Sequence, residues 1–165
     1  APGCKVEILT PDFRGQEMPL AKVIAERPDV FNHNVETVPR LYPKARRGSD
    51  FMRSARVLRT AKEMGGDDVV TKSGLMVGLG ESFDEMVETF GILREHEVQI
   101  LTVGQYLRPT ENHLPVERFW HPDEFKALEE AAYQLGFDAV ASGPLVRSSY
   151  HADEAAAKAA ARQAA

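Results

Sequence analysis

Short apolar runs alternate with longer segments of helical periodicity along this chain, a pattern that predicts a parallel α/β fold. Lys5-Val6-Glu7-Ile8-Leu9 predicts a first strand, stopped by Pro11. Met18, Ala21, Val23 and Ile24 give the next segment one apolar helical face. Asp29 to Asn34 predicts a second strand, and Phe51 to Met64 a helix ended by Gly65-Gly66. A third strand falls within Val69 to Leu79. Ser82 and Glu85 then have the spacing of a capping box, and Met86, Phe90 and Leu93 recur at i, i+4 and i+7 as a buried stripe. Ile100 begins a fourth strand. A last core helix carries Pro122 in its first turn, apolar Phe125, Leu128 and Leu135, and Gly136 just beyond its end. Phe137 to Ala141 predicts a short further strand. From Ala152 the chain is alanine-rich, with Asp153 and Glu154 leading and Lys158 and Arg162 following. That order suits a helix dipole and predicts a surface or frayed helix without chemistry.

Four strand–helix units amount to half of a (β/α) barrel or to a small open sheet. In barrels the chemistry sits at the carboxyl ends of the strands, and the unusual polar residues of this chain fall at those ends. At 165 residues and 43% hydrophobic, the chain suffices for one ordinary core. A net charge of −5 weighs against nucleic acid as a partner. No apolar run approaches membrane-spanning length and no signal peptide is visible, so no membrane partner is expected. Cys4 is the single cysteine, which excludes a disulfide framework and fits a reducing, cytoplasmic compartment.

Five segments could carry chemistry. Pro11-Asp12-Phe13-Arg14-Gly15 follows the first strand and reads as a turn with a local ion pair. In Asn32-His33-Asn34-Val35-Glu36, strand alternation puts Asn32, Asn34 and Glu36 on one face and His33 on the other. Two amides and a carboxylate inside a barrel are costly unless they bind something, so Asn34 and Glu36 read as ligand contacts for a ribose or an ammonium. His33 reads as a packing histidine. Gly74, Gly78 and Gly80 close the third strand and permit close backbone approach to a ligand. Their spacing is neither the dinucleotide fingerprint nor a phosphate-binding loop. Gln105 and Tyr106 end the fourth strand, followed by a proline-held loop containing His113. Arg147-Ser148-Ser149-Tyr150-His151 has no base and oxyanion-hole pattern of a serine nucleophile, and a phosphosite or turn is its ordinary reading.

Read together, and in this order, these segments resemble lipoyl synthases, which belong to the radical S-adenosylmethionine (SAM) enzymes. The resemblance rests on Pro11 to Gly15, Phe31 to Arg40, Thr71 to Glu81, Gln105 to Pro109 and Arg147 to His151. It spans about residues 5 to 153 and corresponds to the C-terminal half of the family. Gly74-Leu75-Met76-Val77-Gly78-Leu79-Gly80-Glu81 matches the G-x-I-x-G-x-x-E pattern of radical SAM barrels, with Met76 in the isoleucine place.

The resemblance implies half of a partial (β/α)6 barrel of TIM type over residues 1–151, plus a C-terminal extension over residues 152–165. It implies SAM and two 4Fe–4S clusters as cofactors, one cluster cleaving SAM reductively and an auxiliary one donating sulfur. The product would be an octanoyl chain carrying sulfur at carbons 6 and 8. It assigns SAM contacts to Asn34 and Glu36, an adenine-supporting surface to Gly74, Met76 and Gly78, and a cofactor contact to Gln105. Ser148, or less favourably Ser149, becomes an oxygen ligand of the auxiliary cluster. The implied partners are octanoylated lipoyl carrier domains of 2-oxo-acid dehydrogenases, the glycine cleavage H protein, and an electron donor such as flavodoxin or ferredoxin.

Both cysteine motifs of that family are missing from this sequence, and Cys4 matches neither. The expectation is a sequence truncated at its N-terminus and inactive by itself. A non-catalytic paralogue that binds a carrier domain is the second reading. An unrelated small α/β enzyme with Ser148 or Cys4 as nucleophile is the third.

Overall fold

The computed structural model describes residues 3–149 and 152–163 of the chain, so Tyr150 and His151 lie outside the described residues. Strands β1 (Glu7–Leu9), β2 (Val30–Asn32), β3 (Val70–Val77), β4 (Ile100–Gln105) and β5 (Ala139–Gly143) form one sheet. All are parallel and pair in sequence order. The helices are α1 (Glu17–Ala25), α2 (Tyr42–Ala45), α3 (Phe51–Gly65), α4 (Phe83–Glu95), α5 (Pro122–Gln134) and α6 (Ala152–Gln163). A strand order that never reverses sends every right-handed crossover to the same side of the sheet. A doubly wound fold would reverse and cover both faces. This architecture is therefore that of a partial TIM-type barrel.

The outer face of the sheet is largely apolar, with Thr71, Ser73 and Gln105 as buried polar exceptions. Phe31, Leu75, Val77, Leu101 and Val103 are buried under Leu58 of α3, Met86, Phe90 and Leu93 of α4, and Phe125 and Leu128 of α5. The capping box expected at Ser82 is present: Ser82 accepts from the Glu85 amide and Glu85 from the Ser82 amide. Arg40 adds a two-bond pair to the same carboxylate, and with the Ser82 amide holds its pKa down to about 2.

The inner face descends in layers. Val30, Val70, Ile100 and Ala139 form its floor, packed against Ala156 and Ala159 of α6. Asn32, Lys72 and Thr102, all buried, form the next layer, with period-2 alternation along each strand. Lys72 is fully buried and its ammonium makes two bonds to Glu7 of β1, at 2.8 and 2.9 Å. Asn32 donates to the same carboxylate at 3.1 Å.

Four expectations need correction. The second strand ends at Asn32, two residues early, because the chain turns away and re-pairs only at a single bridge between Glu36 and Leu75. The fifth strand is shifted to Ala139–Gly143, since Phe137 is spent in the core beneath α5. Leu135 caps α5 and is 39% exposed; Ala132 takes the buried position instead. The alanine-rich tail forms a helix but does not lie free of the core, because Ala156 and Ala159 are buried on the sheet floor. A run of alanines shows no apolar stripe, yet small side chains are what allow a helix to lie close to strands.

Candidate functional site

The carboxyl ends of β3 and β4 meet the segments that follow β2 and β5. There Asn34, Glu36, Gly74, Met76 and Ser148 line one cavity of about 120 Å³. Five residues separated by up to 114 positions, each singled out from the sequence, are thus brought together. Leu75, Thr102, Gly104, Val146 and Arg147 complete the walls; of these, Thr102 and Val146 carried no site expectation from the sequence.

Glycine is required at two of these wall positions. A Cβ on Gly74 would stand 2.6 Å from Thr102 Oγ1 and 2.9 Å from Asn34 Oδ1. A Cβ on Gly104 would collide with the Val146 carbonyl and crowd the Arg147 guanidinium at 3.2 Å. The second glycine lets the Arg147-Ser148 segment lie on the end of β4 and bring Ser148 to the cavity wall. Ser149 is exposed and does not line it.

Glu36 sits in the left-handed region, at φ 69°. A non-glycine residue held there is strained and persists only where its surroundings over-determine it. Its amide donates to the Gly74 carbonyl at 3.0 Å, and its carbonyl accepts from the Met76 amide at 2.8 Å. Burial raises the Glu36 carboxyl pKa, opposed by the nearby Arg46 charge and a hydrogen bond from Asn34. Asn34 Oδ1 is buried without a hydrogen-bond partner. An orphaned amide oxygen beside a partly desolvated carboxylate suits a ligand that brings donors, such as ribose hydroxyls or an ammonium.

Gly78 and Gln105 are not brought to this cavity. Gly78, at φ 105°, packs against the Gln105 amide and the Arg118 carbonyl. Gln105 donates to the Tyr106 and Arg118 carbonyls and accepts from the Trp120 amide at 3.0 Å. It pins the long loop before α5, with both amide hydrogens used and one acceptor position on Oε1 left. Its odd position on β4 points it away from Gly104, a consequence of strand alternation.

His33 faces away from the cavity, as alternation predicts. Its Nδ1 lies 2.8 Å from the Thr10 carbonyl, and burial lowers its pKa, which keeps it neutral. Asp12 pairs with Arg53 of α3 at 2.6 Å and also accepts from the Arg14 amide; the local pair with the Arg14 side chain does not form. Burial raises the Asp12 pKa, but these bonds outweigh it and the net shift is downward.

Glu36 and Met76 also line a second, more apolar cavity of about 310 Å³ with Leu79, Tyr106 and Leu114. His113 borders it, hydrogen-bonded to Thr110. A further cavity of about 560 Å³ lies between β5 and α6. Its charged residues stand on an otherwise apolar wall, and none is among the buried polar groups.

The family model described as the radical SAM superfamily matches residues 1–93. The chain belongs to the radical SAM superfamily. It is 59% identical over 153 residues to the lipoyl synthase of Rubrobacter xylanophilus, which covers 93% of this chain and 47% of that relative. It is 56% identical over 154 residues to the lipoyl synthase of Burkholderia mallei, covering 93% and 46%. The chain thus spans about half the length of these curated relatives. Among solved structures it is similar in fold to the HMG-CoA lyase of Bacillus subtilis, with a TM-score of 0.55 at 10% identity, covering 99% of this chain and 70% of that one.

The cavity fits one of the cofactors the superfamily implies and not the other. The unpartnered Asn34 oxygen, the Glu36 carboxylate and the space kept open at Gly74 fit SAM. An iron–sulfur cluster is not fitted by these residues alone. Cys4 is exposed and precedes β1, at the opposite end of the strands from the cavity. Among the described residues no three His, Cys, Asp or Glu side chains group as a metal site.

Proposed function

We propose that this radical SAM chain forms one half of a lipoyl synthase and holds SAM in the cavity at the ends of β3 and β4. The observation that carries this reading is the convergence of Asn34, Glu36, Gly74, Met76 and Ser148 on that cavity. The similarity to two lipoyl synthases supports it. SAM with an iron–sulfur cluster would supply radical chemistry when both are bound, and an auxiliary cluster would supply the sulfur for carbons 6 and 8 of a carrier-bound octanoyl chain.

The chain's own residues bind and orient. Asn34 Oδ1 and the Glu36 carboxylate accept hydrogen bonds from the ligand's donors. Gly74 keeps the wall low enough for close approach, and Met76 offers an apolar surface to the adenine. Ser148 offers one oxygen ligand to the auxiliary cluster. The remaining ligands come from cysteines outside this sequence. The substrate is an octanoylated carrier domain of a 2-oxo-acid dehydrogenase or the glycine cleavage H protein, and flavodoxin or ferredoxin delivers the electrons. The similarity to lipoyl synthases supports the cytoplasm as the setting; separately, among the described residues no helix is long and apolar enough to cross a membrane.

The 165-residue chain by itself should form no lipoyl product after reconstitution with iron and sulfide, because one thiol and one hydroxyl cannot hold a cubane. Product above background would overturn the assignment of the missing ligands to another segment. In an enzyme that contains this half, Glu36→Ala should weaken SAM binding roughly tenfold or more. Losing a hydrogen bond to a charged acceptor costs about 1.5–3 kcal/mol. Equilibrium binding and 5′-deoxyadenosine release measure it, and wild-type values in the variant would make Glu36 structural.

A further inference from the structure

The strained turn that presents Asn34 and Glu36 is gripped from behind by two side chains that do not touch the 120 Å³ cavity. Tyr42, buried in α2, donates its hydroxyl to the Val35 carbonyl at 2.7 Å. Arg46, which caps α2, donates one guanidinium nitrogen to the Asn34 carbonyl at 2.9 Å and to the Tyr42 hydroxyl at 3.3 Å. The same guanidinium lies over the Tyr42 ring, 5.6 Å from its centroid. The ring in turn meets Phe51 of α3 edge-on at 5.4 Å. Two consecutive carbonyls are therefore held immediately before the residue at φ 69°. On the other side, Ser73 Oγ accepts from the Val35 amide at 3.3 Å, and Gly74 and Met76 bracket Glu36.

This arrangement carries a specific consequence. The Asn34, Val35 and Glu36 backbone groups face β3 on one side and α2 on the other. Without the α2 contacts, the β3 bonds and the 2.9 Å bond from the Thr37 amide to the Val35 carbonyl would be left to oppose relaxation of Glu36 to negative φ. That relaxation would rotate its carboxylate and the preceding amide out of their shared orientation. Burial raises the Tyr42 hydroxyl pKa, so it remains a donor across the physiological range.

We infer that Tyr42 and Arg46 are positioning residues for the SAM-binding turn, holding Asn34 and Glu36 in a conformation they would not keep alone. The inference rests on the reading of this cavity as a SAM site.

The test compares Tyr42→Phe, Arg46→Gln, Arg46→Lys and Glu36→Ala. Equilibrium SAM binding is measured in the enzyme that contains this half. Melting temperature and residue-resolved amide exchange are measured there as well. Tyr42→Phe and Arg46→Gln should each weaken SAM binding about tenfold, the effect of one or two lost hydrogen bonds on a strained presentation. Melting temperature should move little, while the Glu36 and Met76 amides exchange faster than those of the rest of the sheet. Arg46→Lys, which keeps a charged donor of longer reach than the glutamine amide for the Asn34 carbonyl, should recover part of the affinity.

Wild-type affinity in Tyr42→Phe and Arg46→Gln, with affinity lost in Glu36→Ala, would overturn the positioning role and leave the SAM site standing. Wild-type affinity in all four variants would remove the SAM reading itself, and the inference with it. Affinity lost only alongside a general fall in melting temperature and protection would show the two residues to be plain core and would also overturn the inference.

Discussion

In a lipoyl synthase that contains this half, Ser148→Ala should reduce lipoyl product to background while 5′-deoxyadenosine release stays near the wild-type level. The two readouts separate because the groups proposed to contact SAM and the Ser148 hydroxyl occupy different walls of one cavity. Asn34, Glu36, Gly74 and Met76 come from β3 and the turn after β2, whereas Ser148 arrives on the segment after β5. Removing one oxygen from that segment leaves the other walls intact. An alkoxide is a harder and more easily displaced ligand of iron than a thiolate, so Ser148→Cys should retain the metal more tightly and still transfer sulfur poorly. Ser149→Ala should behave as wild type, since Ser149 is exposed and off the cavity wall. Both products are measured in the same reaction. Loss of product in Ser149→Ala but not in Ser148→Ala would move the ligand by one residue, and no loss in either would end the assignment.

The largest effect on stability should come from the buried pair beneath the cavity. Glu7→Ala leaves the Lys72 ammonium unpaired at a position with no solvent exposure. Breaking a buried pair from one side costs about 3–5 kcal/mol, because the remaining charge cannot return to water. Lys72→Met should cost less. The Glu7 side chain keeps 22% of its surface exposed and can be solvated, and methionine fills a similar volume. The double variant should recover much of the loss, since replacing both members of a buried pair by apolar groups is often close to neutral. Urea unfolding of the single and double variants gives the coupling directly. Additive losses would show that Lys72 and Glu7 act independently, and the register of the short β1 strand would then need another cause.

Much of the fold was legible in the order of residues. Period-2 runs and period-3.6 stripes report which face of an element is apolar, so α3, α4 and the cores of β3 and β4 were visible in advance. The Ser82–Glu85 capping box was equally local, since its partners are three residues apart. Asn34, Glu36 and Gly74 could be named because polar residues and glycines at strand ends contradict the surrounding apolar pattern, whereas Met76 and Ser148 were named only through the family resemblance. The recurrence of the whole set in one family then supplied their roles.

Tertiary structure alone decided the rest. Lys72 lies in a strand whose pattern does not reveal its partner; only the pairing of β1, β2 and β3 brings Glu7 within reach. Gln105 and Met76 both occur near strand ends, but alternation points Met76 into the cavity and Gln105 to the loop before α5. Tyr42 and Arg46 act on carbonyls 7 and 12 positions away, across a turn whose positive φ no spacing foretells. In the tail, alanine gave no amphipathic signal, and the burial of Ala156 and Ala159 followed only from the open floor of the sheet. Sequence by itself determined which elements form and which residues are chemically out of place. Contacts between distant segments decided which of those residues share a cavity, because side-chain direction and chain crossing are set by packing and not by neighbours in the chain.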